Sequence, residues 1–456
     1  MTTVTQAQPG LVRRLGLGDA VFIGLGSMVG AGVFAAYAPA ARAAGSGLLV
    51  GLAVAAVVAY CNATASAQLA ASYPRAGGTY LYGREVLGPW WGYLAGWGFM
   101  VGKTASCAAM ALTFAAYVAP GDALRPVAAA VVVVVALVNC AGITRTALLT
   151  RVLVTLVLIA LVVAVVVCLR GGSTSHLAGW SSPTHGLYGV LQSAGLLFFA
   201  FAGYARIATL GEEVRDPARV IPRAIVIALT CAVAVYAVVA LAVLSALGPD
   251  ATAASSAPVA DAVRATSNGW LVAVVRVGGA LASGGALLAL VAGLGRTGLA
   301  MARERDLPGW LDAVHPRFHV PHRAELTVAA VVVALVLTTD LRGAIGFSSF
   351  GVLLYYFVAN SAAYRQPASA RRFPRWLQLV GCAGCLLLVA SLPWRSVVVG
   401  LAVFAVGLAL RALRPPPSVF VDRRLLTVER RPLTVERRVL TLERRLSATD
   451  MVGRRR

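Results

Sequence analysis

The sequence predicts an all-α integral membrane protein with about twelve transmembrane helices. Three observations carry this. Apolar runs of the roughly 20 residues needed to cross a bilayer recur up to residue 412. Of the 456 residues, 59% are hydrophobic and 13% charged, with mean hydropathy +0.79; soluble domains average about 45–50% and about 25%. The loops between runs alternate between arginine-rich and arginine-poor, as successive spans with a cytoplasmic positive bias require. An ordinary soluble enzyme is excluded, and so is a disordered chain, which is poor in apolar residues.

The expected spans are 16–39, 46–71, 88–118, 126–143, 150–169, 187–209, 223–247, 270–301, 324–340, 343–363, 376–392 and 395–412. Arg13 and Arg14 precede the first span without a small-residue cleavage site, so it is read as a retained helix rather than a signal peptide. With the amino terminus inside, the inner segments hold 17 arginines before the tail is counted. The outer segments hold six: Arg42, Arg125, Arg170, Arg264, Arg342 and Arg395. This predicts a multi-pass plasma-membrane protein with both termini cytoplasmic.

The tail, residues 413–456, has its own composition. Pro415, Pro416 and Pro417 end the last span, and LLTVERR, PLTVERR and VLTLERR then repeat with period seven. Leu425, Val428, Val435, Val439, Leu442 and Leu446 take the a and d positions, and Pro432 interrupts one a. Thirteen arginines against five acidic residues follow from Arg411 onwards. A basic amphipathic helix of this kind suits the anionic lipids of the inner leaflet or a short coiled coil. A solvated basic tail is the simpler reading, because Pro432 breaks a continuous helix. The formal charge of +22 thus divides mainly between inner loops and tail, and gives no sign of nucleic-acid binding.

Neither enzyme chemistry nor a cofactor is expected. The seven cysteines all lie in apolar spans, and Cys382 and Cys385, despite their CxxC spacing, read as small packing residues. His315, His319 and His322 crowd one inner loop with no cysteine or carboxylate cluster to complete a metal site.

The chemistry lies in two interrupted helices. Span 1 places Gly24, Gly26, Gly30 and Gly32 within nine residues, with Ser27 among them. Each glycine costs a helix roughly 1 kcal/mol relative to alanine. Unwinding there exposes amides suited to a carboxylate and carbonyls suited to an ammonium or cation. Span 6 has Gly203 between Phe198-Phe199-Ala200-Phe201-Ala202 and Tyr204-Ala205-Arg206, then Gly211-Glu212-Glu213. Breaks in spans 1 and 6 fit inverted repeats of spans 1–5 and 6–10, with a site between them at mid-membrane.

Four segments in order, GLGSMVGAGVF, YPRAGGTYLYGREVLGPWWGYLAGW, FFAFAGYARIATLGEEVRDPARVIPRAI and GLGRTGLAMARERDLPGWL with HPRFHVPHRAE after it, resemble the amino acid–polyamine–organocation (APC) superfamily of permeases. The resemblance implies a leucine-transporter-type 5+5 inverted-repeat core over residues 16–363. Two added helices over 364–412 would follow, and a cytoplasmic segment, 1–15, would precede it. It implies alternating-access movement of amino acids or related amines, coupled to protons or sodium. Gly26, Ser27, Met28, Val29 and Gly30 would bind the substrate carboxylate through backbone amides, with Gly24 heading the same cluster. Phe201, Ala202 and Gly203 would offer carbonyls to the amine, and Phe201 would be the aromatic lid. Tyr73 to Glu85 would lie along the inner membrane face, and Glu212 and Glu213 would be gate residues pairing with arginines.

The chain departs from the family at the coupling site. Where many proton-coupled members carry a span-5 lysine, ungapped matching places Val157; the one lysine here is Lys103, in span 3. A cation at bilayer depth costs about 2.5–3.5 kcal/mol. Lys103 is therefore expected to face the path and take up the coupling proton or pair with an anion, unless backbone carbonyls or snorkelling hold it. Proton coupling is expected over sodium. Outside the tail, acidic residues fall in loops or near span ends, which disfavours cationic substrates. Ser27, Thr104 and Ser283 are the expected polar contacts in a small apolar pocket. A neutral amino acid is expected, an anionic one second. A carrier of cationic amino acids or other amines, and a non-transporting sensor or scaffold acting through its tail, remain as alternatives.

Overall fold

A computed structural model describes residues 14–75, 77–119, 121–142, 147–173, 186–211, 213–266 and 269–413. The heptad repeats and Glu212 lie outside the described residues. The described residues up to 409 form one compact unit, and residues 410–412, the end of the last helix, fall in a second.

The helices are α1 (Leu17–Met28), α2 (Ala31–Ala35), α3 (Tyr37–Ala44), α4 (Leu48–Ser72), α5 (Gly78–Leu87), α6 (Pro89–Val118), α7 (Leu124–Cys140), α8 (Ala147–Gly171), α9 (Gly186–Phe201), α10 (Ala205–Ala208), α11 (Pro217–Ala254), α12 (Pro258–Ala265), α13 (Val272–Arg303), α14 (His322–Thr338), α15 (Leu341–Arg365), α16 (Arg375–Ser391) and α17 (Trp394–Ala412). Ten helical segments among the described residues are long and apolar enough to cross a membrane. The other two expected spans coincide with α14 and α16, each of 17 residues. At 1.5 Å per residue these run about 26 Å, a little short of the roughly 30 Å hydrocarbon layer. The expected seventh span ends where α11 has its one non-helical residue, Gly248 at φ 74°, just before Pro249.

Hydrophobicity cannot drive helix association in lipid, so close backbone approach and polar contacts must. The α6–α15 crossing depends on Gly98, Gly102 and Gly351. A Cβ at Gly351 would lie 2.7 Å from the Gly98 carbonyl oxygen and 2.8 Å from Gly102 Cα. Ser106 and Ser348 share a hydrogen bond of 2.6 Å at this seam. The α4–α15 contact is polar: Asn360 Nδ2 donates to Asn62 Oδ1 at 2.6 Å, and Gln68 Nε2 donates to Gln366 Oε1 at 2.7 Å. Cys385 is buried and its thiol donates to Asn62 Oδ1 at 3.4 Å, which places it in this packing network. Exposed tryptophans stand at or just before helix starts: Trp90 and Trp91 on α6, Trp270 before α13, Trp376 on α16 and Trp394 on α17. Such amphipathic rings suit the membrane–water interface.

Gly351→Val should overpack the α6–α15 seam at about 1–3 kcal/mol and lower the unfolding temperature of purified protein by about 3–10 °C. Gly293→Ala, whose added Cβ meets nothing within 4 Å, should not lower it, since alanine favours helix over glycine.

Candidate functional site

The first expected span is broken at Val29 and Gly30. α1 ends at Met28, Val29 has ψ 38°, Gly30 has φ −89° and ψ −133°, and α2 begins at Ala31. Of the glycine cluster expected to unwind, Gly30 is at the break, while Gly24 and Gly26 are not. Both lie inside α1, so their amides belong to the helix. Their missing side chains serve close packing instead. A Cβ on Gly26 would come within 2.7 Å of Val154 Cγ2 on α8, and one on Gly24 would overlap the Ile207 side chain on α10.

The sixth span is broken one residue after α9. Ala202–Tyr204 form a 3₁₀ turn before α10. The two breaks meet. A Cβ on Gly203 would lie 2.6 Å from the Met28 nitrogen and would overlap the Ser27 carbonyl. Only glycine lets the 3₁₀ turn of one broken helix rest on the backbone of the other. Above this point Gly32 faces Ala200, where a Cβ would lie 2.6 Å from Ala200 Cα. Met28 to Ala35 and Phe198 to Ala202 are buried.

A broken helix leaves carbonyls without intrahelical partners, and the side chains around this one supply them. Lys103 on α6, 7% exposed, donates from Nζ to the Ala202 carbonyl at 3.1 Å. The Tyr356 hydroxyl on α15 stands 3.4 Å from the same oxygen. Tyr236 on α11 places its hydroxyl 2.6 Å from the Met28 carbonyl and 2.9 Å from the Ala200 carbonyl. It thereby spans both breaks. Its ring lies 5.0 Å from that of Phe201, and its own carbonyl accepts from the Tyr37 hydroxyl at 3.0 Å. On the far side, the Tyr117 hydroxyl donates to the Phe34 carbonyl at 3.0 Å, and Arg276 Nε donates to the Tyr117 carbonyl at 2.8 Å.

The expected polar contacts are reached unequally. Ser27 lies at the crossing, but its hydroxyl donates to its own helix at the Ile23 carbonyl, 2.9 Å. Thr104 follows Lys103 and donates to the Met100 carbonyl at 2.7 Å. Ser283 is fully buried and donates to the Gly279 carbonyl at 2.6 Å. It sits on the turn of α13 against which Gly30 packs, since a Cβ there would lie 2.8 Å from Ala286 Cβ. All three hydroxyl protons are thus spent within their own helices, leaving oxygen lone pairs as acceptors.

The end of the bundle near Leu15 is tied by backbone. The expected gate residue Glu213 contributes its carbonyl: the amides of Arg14 and Leu15 both donate to it at 3.0 Å, and the Arg215 amide donates to the Leu15 carbonyl at 2.9 Å. Leu15 and Val214 form a parallel bridge. Among the described residues no arginine stands within 4 Å of the Glu213 carboxylate. The stretch expected along the inner face contains α5, which reaches the same region. Tyr82 donates to the Ala208 carbonyl at 3.3 Å, and Tyr80 donates to the buried Asp306 carboxylate at 2.8 Å. Arg84 pairs with Asp306 at 3.3 Å and Glu304 at 2.9 Å.

Two residues of this region lacked a usable signal in the sequence. Tyr236 lies in an unbroken apolar run. Glu325 reads as a span-end residue, yet it is 2% exposed, fitted against Gly295, and accepts from the Cys140 thiol at 3.8 Å.

A family model described as amino acid permease matches residues 15–410. An uncharacterized transporter of Mycobacterium tuberculosis is 60% identical over 404 residues, covering 89% of this chain and 92% of its own length. The cationic amino acid transporter 6, chloroplastic, of Arabidopsis thaliana is 28% identical, with 76% of this chain and 64% of its own covered. The branched-chain amino acid permease BcaP of Bacillus subtilis is 25% identical, with 90% and 94% covered.

Tyr236→Phe keeps the ring and leaves a buried carbonyl unpaired, at about 1–3 kcal/mol. Hydrogen exchange followed by mass spectrometry should then show faster exchange in peptides spanning residues 28–34 and 198–206. Equal protection in both proteins would remove Tyr236 from its bridging role.

Proposed function

The chain belongs to the amino acid permease family of the APC superfamily, and on that premise we propose that this amino acid transporter carries neutral amino acids across the plasma membrane by alternating access, coupled to protons. The observation that carries this reading is the contact of the two broken helices at Gly203 and Ser27, with the Lys103 ammonium on the adjoining Ala202 carbonyl. In this reading the substrate lies at that crossing, its carboxylate toward the backbone around Gly30 and its ammonium toward the carbonyls of Phe201, Ala202 and Gly203.

The side chains around the crossing support a neutral cargo. Met28, Val29, Phe201, Ala202, Tyr236 and Tyr356 are buried there and carry no carboxylate to meet a cationic side chain. A buried unpaired charge is costly. The name of the Bacillus relative, a branched-chain permease, agrees with such a cargo. Lys103 favours an anionic amino acid as the second reading, since its ammonium would pair with a side-chain carboxylate.

Lys103 is held by a backbone carbonyl, but that carbonyl belongs to the broken helix at the crossing, and this favours a part in proton coupling over a purely structural one. Its ammonium holds a carbonyl that the substrate amine needs, so charge on Lys103 and charge on the substrate compete for one oxygen. Loss of the Lys103 proton relieves that competition.

Reconstituted in proteoliposomes, the protein should accumulate leucine, valine or alanine ahead of glutamate, and arginine least, under an imposed proton gradient and without sodium. Arginine uptake far above the others would overturn the neutral reading. Lys103→Met should reduce uptake about tenfold, as expected for a lost charged hydrogen bond, and should flatten its pH profile. An unchanged rate and profile would remove Lys103 from coupling.

A further inference from the structure

A second polar site lies away from the crossing, at the opposite end of the bundle from α5. It is a cavity of about 320 Å³ between the ends of α3, α6 and α11 and the starts of α7 and α15. Arg42, Arg125 and Arg342 line it, with Asp340 the one acidic residue among them. These are three of the six arginines assigned to the arginine-poor outer face, so the positive-inside bias does not account for their gathering.

Among the described residues, no carboxylate lies within 4 Å of any of these guanidinium groups. Each instead donates to a neutral oxygen: Arg42 to the Ala253 carbonyl at 2.9 Å, Arg125 to the Leu337 carbonyl at 3.0 Å, and Arg342 to Gln192 Oε1 at 2.8 Å. A guanidinium has five N–H donors in a fixed fork, so most of that capacity is left over. Arg342 Nε is buried with no hydrogen-bond partner. Asp340 does not fill this role. It caps α15, where its Oδ1 accepts from the Gly343 amide at 2.8 Å. Like charges in a partly desolvated pocket repel, and an anion held by two guanidinium forks relieves that repulsion while using the open donors.

We infer that this cavity is a binding site for a soluble carboxylate anion, held by Arg42, Arg125 and Arg342 and opposed by Asp340. Its volume admits a solute of amino-acid or small dicarboxylate size. The inference does not rest on the transported substrate, because the site is separate from the crossing.

The test uses the full chain in nanodiscs of phosphatidylcholine, with radiolabelled succinate as the probe. Succinate lacks the ammonium that the crossing is proposed to hold, and the Arg125 and Asp340 variants, remote from Lys103, assign its binding to this cavity rather than to the crossing. Saturable binding is expected, weakening as salt is raised. Arg125→Gln should weaken it about fivefold, as loss of one charge-assisted contact implies. Asp340→Asn keeps a capping side chain and removes the opposing charge, so it should tighten binding about threefold, a gain that a misfolded protein would not show. Absence of saturable binding, or equal affinity in both variants and the wild type, would overturn the site. A parallel arm in nanodiscs containing phosphatidylglycerol separates the remaining source of an oxyanion. An arginine-dependent retention of that lipid on native mass spectrometry, without succinate binding, would assign the cavity to a lipid headgroup and overturn the solute reading.

Discussion

A broken helix inside a membrane has to find protein partners for its freed backbone groups, because lipid offers none and each unmet group costs roughly several kcal/mol. That constraint organises this molecule. Two helices break at the same depth, and the surrounding bundle is arranged to meet what the breaks expose. Gly203 lets one broken backbone rest on the other. Tyr236 reaches carbonyls on both, Lys103 reaches Ala202, and Tyr117 reaches Phe34. These donors come from α6 and from the part of α11 before its kink at Gly248, regular helix that holds the irregular pair.

The same constraint explains why the crossing is a plausible place for chemistry to be selected. Backbone carbonyls at an interruption are fixed by the fold, while the donors that satisfy them are side chains. A ligand that brings its own donor can replace a side chain without rebuilding the helix. The Lys103–Ala202 contact is the point at which such a replacement involves a formal charge, which is why the proposed coupling centres on it. Ser27, Thr104 and Ser283, by contrast, are already engaged with their own helices and offer only acceptor capacity.

Much of the architecture was legible in the sequence because apolar length is read directly as span length, and each expected span coincides with helix. The breaks were legible to within a few residues. Their position was less so, because glycine serves two ends: at Gly30 it permits an irregular backbone, while at Gly24 and Gly26 it permits α8 and α10 to approach an intact helix. Residue type alone does not separate these uses. Tyr236 was illegible for a different reason. Its role depends on where α11 passes the two breaks, a tertiary fact with no local pattern. Glu213 was read through its carboxylate, yet its contact with Arg14 and Leu15 is made by its carbonyl, which any residue would supply. The cavity bounded by Arg42, Arg125 and Arg342 is assembled from α3, α7 and α15, helices far apart in the chain, and only folding brings them together.

The small bridge between Leu15 and Val214 has a mechanical consequence. The two broken helices are joined beside their outlying ends by this bridge, at their breaks by Gly203 on Ser27, and through the shared Tyr236 hydroxyl. Bodies fixed at several heights cannot pivot separately. A tilt applied to one is delivered to the other as torque, so the pair behaves as a single lever with Arg14 and Leu15 at its handle. A bulky fusion immediately before Arg14 would load that lever directly, whereas the same fusion at the far end of the polypeptide would not.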